Sequence, residues 1–173
     1  MLAIFSRTLC FAVLLIAFAA SAAETWTPVH SKEGGFTAFF PKAPAIKTEP
    51  ANASGGVASV YLADLGKTAF EVSYTDYQPG AFAGRMVDRI YNAARNDLVK
   101  GQPVKLLADR PVTLEKVRGR EVIFAEQDGY TQAYRFFVVK DRLYALVAGG
   151  PAGSEKSAET KRFLDSFKLT PAP

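Results

Sequence analysis

The sequence predicts one α+β domain, built from a mostly antiparallel sheet and two helices and preceded by an export signal. Three observations lead to this fold class. Several segments alternate apolar and polar residues and are separated by hairpin-length turns, which is typical of antiparallel strands. One long stretch repeats apolar residues every four positions, and a shorter one near the end places Ala158, Phe163, Leu164 and Phe167 on one side of a helix. Strands joined by short turns and covered by helices belong to the α+β class.

Residues 1–23 predict a cleavable signal peptide. The single basic residue Arg7 precedes the apolar run Leu9–Ala20, and the small residues Ala20–Ala23 supply a cleavage site. The apolar run contains 12 residues, whereas a membrane-spanning helix needs roughly 20. We therefore expect a periplasmic or secreted protein that meets the membrane only transiently, through its signal peptide.

Residues 24–173 form the predicted domain, whose length of about 150 residues is enough for a core of its own. Trp26–Ser31 and Phe36–Phe40 are the first two predicted strands, and Pro50–Gly56 is a predicted loop. Val57–Ala63 and Thr68–Tyr74 then form the clearest hairpin. In its second strand alternate residues share an apolar face, while those between them point to a wetter face.

Residues 81–100 predict the first helix, which Gly101 is placed to end. Its apolar stripe consists of Phe82, Met86, Ile90, Ala94 and Leu98. A stripe with this spacing is usually the core-facing side of a helix, and we interpret it so rather than as a cofactor site.

The second half of the chain predicts more strands and a closing helix. Val104–Leu107 and Val112–Leu114 are short candidates separated by a turn at Asp109-Arg110-Pro111. A three-stranded antiparallel meander follows, with strands at Arg120–Ala125, Tyr130–Val139 and Arg142–Ala148. Residues 154–167 predict the second helix, with Ser154 or Ser157 as its N-cap.

Composition narrows the chemistry. The only cysteine, Cys10, lies inside the predicted signal peptide, so the mature chain would contain neither a disulfide nor a thiol nucleophile. Removing Arg7 from the 21 basic residues leaves 20 against 17 acidic ones, a net charge of +3. This mild excess does not indicate a nucleic-acid-binding protein.

No group of residues predicts catalysis or a cofactor. His30 is the only histidine, which leaves little material for a zinc site or a catalytic triad. Glu121 with Glu126, or Asp64 with Asp76, could form an acid–base pair, but their spacing does not require it, and we expect solubilising charges at the sheet edge instead. The glycine pairs lack a phosphate-binding fingerprint. We predict a chain that is not an enzyme and needs no metal or cofactor.

The strongest local charge feature is Lys116-Val117-Arg118-Gly119-Arg120. If the three basic residues alternate along a strand, they share one face and form a candidate contact for an acidic partner or an anionic surface. Acidic residues are interspersed around them, so a solvated face of mixed charge is the competing interpretation.

The chain resembles the PsbP/Mog1-like group of small proteins. The resemblance rests on Gly35-Phe36 with Phe40-Pro41 and Pro44, on the aromatic segments 135–137 and 143–146, and on the closing Phe163-Leu164-Asp165-Ser166-Phe167. It implies a central antiparallel sheet with helices on its faces, commonly serving as a binding or assembly module, and it carries over no catalytic residue. Members of that group act as photosystem subunits, as a GTPase-binding factor and as chaperone-like adaptors.

We therefore expect an exported, non-catalytic binding or assembly module for an envelope protein or an anionic surface. Two alternatives remain open. One is a small envelope hydrolase that uses carboxylates. The other is a carrier of an apolar ligand held between helix 81–100 and the sheet, which would contain an apolar cavity of several hundred cubic ångströms, roughly the usual size of a ligand pocket.

Overall fold

A computed structural model describes residues 25–51, 56–83 and 87–170, so the predicted signal peptide lies outside the described residues. Within them the chain folds into two antiparallel sheets, two α-helices and one short 3₁₀ helix. The predicted α+β class, the mostly antiparallel pairing and the two helices are confirmed. Neither helix of this described part is long and apolar enough to cross a membrane.

The larger sheet has seven strands in the spatial order β3-β4-β5-β9-β8-β7-β6, and every neighbouring pair is antiparallel. Its strands are β3 (Ala45–Pro50), β4 (Val57–Asp64), β5 (Ala69–Asp76), β6 (Lys105–Leu114), β7 (Val117–Ala125), β8 (Thr131–Val139) and β9 (Arg142–Gly150).

A smaller sheet packs against one face of the larger one. It contains β1 (Thr27–Ser31), β2 (Phe36–Phe40) and the short β10 (Lys168–Leu169), in the order β1-β2-β10. The second helix, α2 (Ala158–Ser166), leads directly into β10 and lies beside β2. Ser157 is its N-cap and accepts a hydrogen bond from the Thr160 backbone N–H at 3.0 Å.

The strands of the larger sheet divide their side chains between two cores, as their period of two requires. On β5, Phe70, Val72 and Tyr74 face the smaller sheet and α2, where aromatic rings dominate the main core. The other face packs against the first helix, α1 (Val87–Val99), around a smaller cluster formed by Tyr91, Val122, Phe124 and Phe136. The sheet is therefore covered on both faces.

The first helix begins later than residue 81. Residues 81–83 form a turn instead, and residues 84–86 lie outside the described part of the chain. The Asp141 carboxylate holds this turn, because it accepts hydrogen bonds from the backbone N–H groups of Gly80 at 2.9 Å and Phe82 at 3.2 Å. A partner sixty residues away thus competes with the local helical pattern.

The edges of the larger sheet also differ from prediction. Ala45–Pro50 forms β3, which the sequence did not predict, and the predicted turn at Asp109-Arg110-Pro111 lies inside the continuous strand β6. Both are edge strands that pair on one side only. A proline lacks a backbone N–H, but an edge strand has a side on which none is needed.

Candidate ligand-binding groove

A groove of about 870 Å³ lies between α1 and the face of the larger sheet that α1 covers. Its floor comes from strands β4, β5, β8 and β9, and α1 forms the wall opposite. Side chains that line it include Glu49, Glu71, Ser73, Tyr77, Phe82, Arg89, Ile90, Ala93, Ala94, Asp97, Leu98, Gln132, Tyr134, Phe136, Ala145 and Val147.

The groove exists because small side chains occupy the middle of the floor. Ser73 on β5 pairs with Ala145 on the neighbouring strand β9, and Ala94 lines the groove from the helix side. A helix packed on a sheet leaves a gap about 10 Å deep between backbones, which large side chains normally fill. Here the central positions carry little volume, so space remains between the layers.

The middle of the groove is apolar. Phe136 is adjacent to Ala145 across the β8–β9 pair, and Ile90 and Leu98 come from the helical stripe that the sequence identified. A second aromatic group, Tyr77 and Phe82, lines one end with ring centroids 4.7 Å apart. These surfaces suit an apolar ligand body.

Glu71 is a half-buried carboxyl group in the floor of the groove. Burial raises its pKa above the usual value for glutamate, a hydrogen bond with Ser73 acts in the opposite direction, and the nearby Glu49 raises it further. Such a carboxylate is costly to keep ionised unless a positive group compensates it.

Tyr134 lines the groove in the same cross-strand row as Glu71, since both pair with Val147. Its hydroxyl donates a hydrogen bond to Gln132 Oε1 at 2.5 Å, and Gln132 in turn donates from Nε2 to the Glu126 carboxylate. Burial raises the pKa of Tyr134, and the charge of Glu71 raises it further. The hydroxyl therefore stays protonated and is already hydrogen-bonded.

Charged side chains stand at the rim. Glu49 forms an ion pair with Lys47, whose Nζ lies 2.7 Å from the carboxylate. Arg89 and Asp97 line the groove from α1. Among the described lining residues, three side chains are thus acidic and one is basic, which makes the electrostatic character of this lining acidic.

The basic residues predicted as an anion contact lie in three different settings. Lys116 is exposed in the turn before β7, and Arg118 is exposed on that strand, with Asp88 at 3.7 Å. Arg120 is largely covered and forms a two-pronged ion pair with Asp109, in which Nη2 lies 2.8 Å from Oδ2. Only the first two present open cationic surface.

Asp109 joins Arg120 of the sheet to Arg95 of α1, whose Nη1 lies 2.7 Å from the carboxylate. The hydrogen bond from Arg120 holds the pKa of Asp109 below its ordinary value of 3.8. A carboxyl group with a lowered folded-state pKa stabilises the fold above its unfolded-state pKa, and this contribution is lost as the pH falls through the folded-state value.

We therefore expect the free energy of unfolding to decrease as the pH falls from about 5 to about 3, and to decrease less steeply in Asp109→Asn. Urea denaturation at both pH values measures the difference. The variant should also be less stable than the wild type near pH 7. An identical pH slope in the two proteins would show that Asp109 does not contribute through its charge.

The carboxylate pairs considered from the sequence are not brought together. Glu121 is buried, with 3% of its surface exposed, and forms ion pairs with Arg110 and Arg135, so the prediction of an exposed edge charge was wrong for it. Asp64 and Asp76 end two antiparallel neighbours, β4 and β5, at opposite ends of the sheet. Among residues 25–51, 56–83 and 87–170, no cluster of three or more side chains could hold a metal ion.

Sequence reasoning missed Glu71 as a candidate site residue. It identified the wetter face of β5 on which Glu71 and Ser73 lie, but nothing local shows that this face lies under α1. A carboxylate in the middle of a central strand, between two apolar residues, was the available signal.

A solved structure shows the same fold in another protein. The cyanobacterial PsbP (CyanoP) of Synechocystis sp. PCC 6803 matches at a TM-score of 0.59 and 10% identity, over 90% of this chain and 98% of that protein. Two weaker matches follow. A Bacteroides thetaiotaomicron protein has a TM-score of 0.49 and 11% identity, over 83% of this chain and 48% of that protein. The Pseudomonas aeruginosa protein PA94, of unknown function, has a TM-score of 0.47 and 14% identity, over 86% of this chain and 98% of that protein. No family model and no curated protein matches the sequence. The chain thus has a PsbP-like fold, as the resemblance implied.

Proposed function

We propose that this chain is an exported binding protein that holds an apolar or amphiphilic small molecule in the groove between α1 and the larger sheet, without catalysing a reaction on it. The single observation that carries the proposal is the groove itself. Its volume of about 870 Å³ lies within the range typical of ligand pockets, about 300–1,000 Å³. Its lining combines apolar and polar side chains in similar proportion, which suits a ligand that has both an apolar body and a polar group.

The groove favours a small ligand over the protein partner that the sequence suggested first. Arg120 has its charge matched by Asp109, and only Lys116 and Arg118 are left open to an anionic partner. Two exposed cations provide little binding energy in water. A concave site provides more, because a ligand inside it removes apolar surface such as that of Phe136 and Ala145 from solvent.

The export part of the proposal rests on the sequence of residues 1–23. Mass spectrometry and N-terminal sequencing of the protein recovered from an envelope fraction test it directly. We expect a product that begins at Ala23 or Glu24. A product that keeps Met1 and stays with the membrane fraction would show a tethered protein instead.

Narrowing the groove tests the binding site. We expect Ala93→Trp, on the groove side of α1, to weaken binding of the neutral fluorescent probe Nile red at least about tenfold, because the indole occupies space that the probe needs. Fluorescence titration of the purified protein gives the dissociation constant. Ala145→Phe, in the floor, should have the same effect.

Asn92→Trp is the matched control, because Asn92 neighbours Ala93 on α1 and is likewise exposed but does not line the groove. It should bind Nile red as the wild type does. If the wild type bound no probe, or if both tryptophan variants bound it equally well, the groove would not be a ligand site.

The carboxylate-hydrolase alternative has one observation in its favour, since Glu49 and Glu71 both line the groove. Glu49 is compensated by Lys47, while burial raises the pKa of Glu71, as a general acid would need. Chromogenic esters and glycosides test this alternative. Turnover by the wild type that disappears in Glu71→Gln would establish an enzyme and overturn the non-catalytic proposal.

A further inference from the structure

The groove has one polar end, and strand register places it. Glu71, Val147 and Tyr134 form one cross-strand row, and Ser73, Ala145 and Phe136 form the next. On the helix side, Arg95 reaches Asp109, which belongs to the same row as Tyr134 through Val122. Asp97 follows Arg95 by two positions on α1, and it therefore lies at the same end of the groove as Glu71.

The carboxylate of Glu71 has no cationic partner of its own. Among the described residues no ion pair includes it, and its hydrogen-bond partner is the neutral Ser73. The closest basic group that affects it, Lys47, is engaged by Glu49 at 2.7 Å. Half-buried negative charge in an apolar groove is thus left uncompensated.

The neutral donors around Glu71 are committed elsewhere. The Tyr134 hydroxyl donates to Gln132, and the Gln132 amide donates to Glu126. Neither is directed to Glu71 in this arrangement. A ligand that brings a positive donor would complete the hydrogen bonding of this end of the groove.

We propose that the ligand of this groove is an amphiphilic organic cation, with its ammonium group at the Glu71 carboxylate and its apolar body along Ala145, Phe136 and Ile90. This inference rests on the proposed function and specifies the ligand class. The ring face of Tyr134 is a further favourable surface for a cation.

The distribution of charge around the groove supports a cation. Among the residues that the structure describes, Glu49, Glu71 and Asp97 line it against one basic residue, Arg89. Arg89 precedes Asp97 by eight positions on α1, which separates them by about 12 Å at the helical rise of 1.5 Å per residue. Of the described lining residues, an anionic head group at the Glu71 end would therefore meet two that are acidic and would lie away from Arg89.

Three probes with the same alkyl chain length distinguish the contribution of head-group charge to affinity from the contribution of apolar contact. Decylamine, decanol and decyl sulfate are each titrated against the Nile red complex of the wild-type protein, below their micelle concentrations. We expect decylamine to displace the probe at a concentration at least about tenfold below that of decanol, and decyl sulfate to be the weakest competitor.

Glu71→Gln keeps the shape of the side chain and removes its charge. We expect it to bring decylamine to the level of decanol while decanol itself is unchanged. Glu159→Gln is the matched control, because Glu159 is exposed on α2, across the sheet from the groove. It should retain the full preference for decylamine.

The outcomes separate the two proposals. If decylamine and decanol compete equally in the wild type, the cation inference fails and the groove remains a ligand site. If the preference survives in Glu71→Gln, Glu71 does not recognise the ammonium group, and the inference fails in that form. If neither Nile red nor any of the three probes binds, the proposed function itself fails. The wild-type comparison decides the first point even if the variant does not fold.

Discussion

Replacing Phe40 by alanine is expected to lower the free energy of unfolding by about 3–5 kcal/mol, the usual cost of removing a fully buried phenylalanine. Phe40 is 0% exposed, and its ring packs edge-on against Phe163 with centroids 5.2 Å apart. Phe163 in turn contacts Phe70 of the larger sheet at 5.2 Å. The ring of Phe40 thus belongs to a series of contacting aromatic rings that joins the small sheet, α2 and the large sheet. Urea denaturation near pH 7 measures the loss.

Phe39→Ala is the matched control. Phe39 adjoins Phe40 on β2 but points to the opposite face and is 45% exposed. We expect its removal to cost less than about 1 kcal/mol, as is usual for surface substitutions. Equal losses in the two variants would show that burial between the layers is not what makes Phe40 stabilising.

Replacing Glu121 by alanine should cost about 3 kcal/mol, near the low end of the range for breaking a buried ion pair. Glu121 accepts from Arg135 Nε at 2.7 Å and also pairs with Arg110. Burial alone would raise the pKa of Glu121, but the hydrogen bonds of the two arginines outweigh it and lower the pKa. The loss of stability stays near the low end of this range because Arg135 is not left unpaired: its Nη1 still donates a hydrogen bond to Asp165 at 2.8 Å.

Lys161→Ala provides the comparison for Glu121→Ala. Lys161 also belongs to an ion pair with Asp165, one helical turn apart, but its side chain is 77% exposed. Solvent screens such a pair, so its removal should cost about 0.5 kcal/mol or less. Thermal denaturation of both variants at neutral pH tests the contrast. If Glu121→Ala were as mild as Lys161→Ala, the buried network would not stabilise the fold.

Much of the fold could be predicted because its signals are local. The alternation in β5, with Phe70 and Val72 separated by Glu71, gives both the strand and the division of its two faces. The four-residue apolar repeat of α1 gives the helix and the side that contacts the sheet. Each pattern depends on the residues within one element, and the geometry of a strand or helix converts it directly into a face.

The predictions that the structure corrects all involve contacts between residues that are distant in sequence. The Asp141 carboxylate holds residues 80–82 as a turn, where the local pattern favoured a helix. Pro111 lies within β6 because this strand is at the sheet edge, a position that only the full strand order reveals. Glu121 is buried because arginines from two neighbouring strands compensate it.

The sequence by itself determined the α+β class, the helices and the main strands, because periodicity and turn composition are properties of short segments. The resemblance to a PsbP-like fold rested separately on aromatic, glycine and proline positions along the chain. Only the tertiary structure decided that Ser73, Ala145 and Ala94 meet between two layers and leave a groove. It also decided that Glu71 stands in that groove, with no ion pair to another described residue. A cavity is the space that distant elements fail to fill, so its volume and the pKa of the groups around it depend on packing between segments and not on the pattern within one.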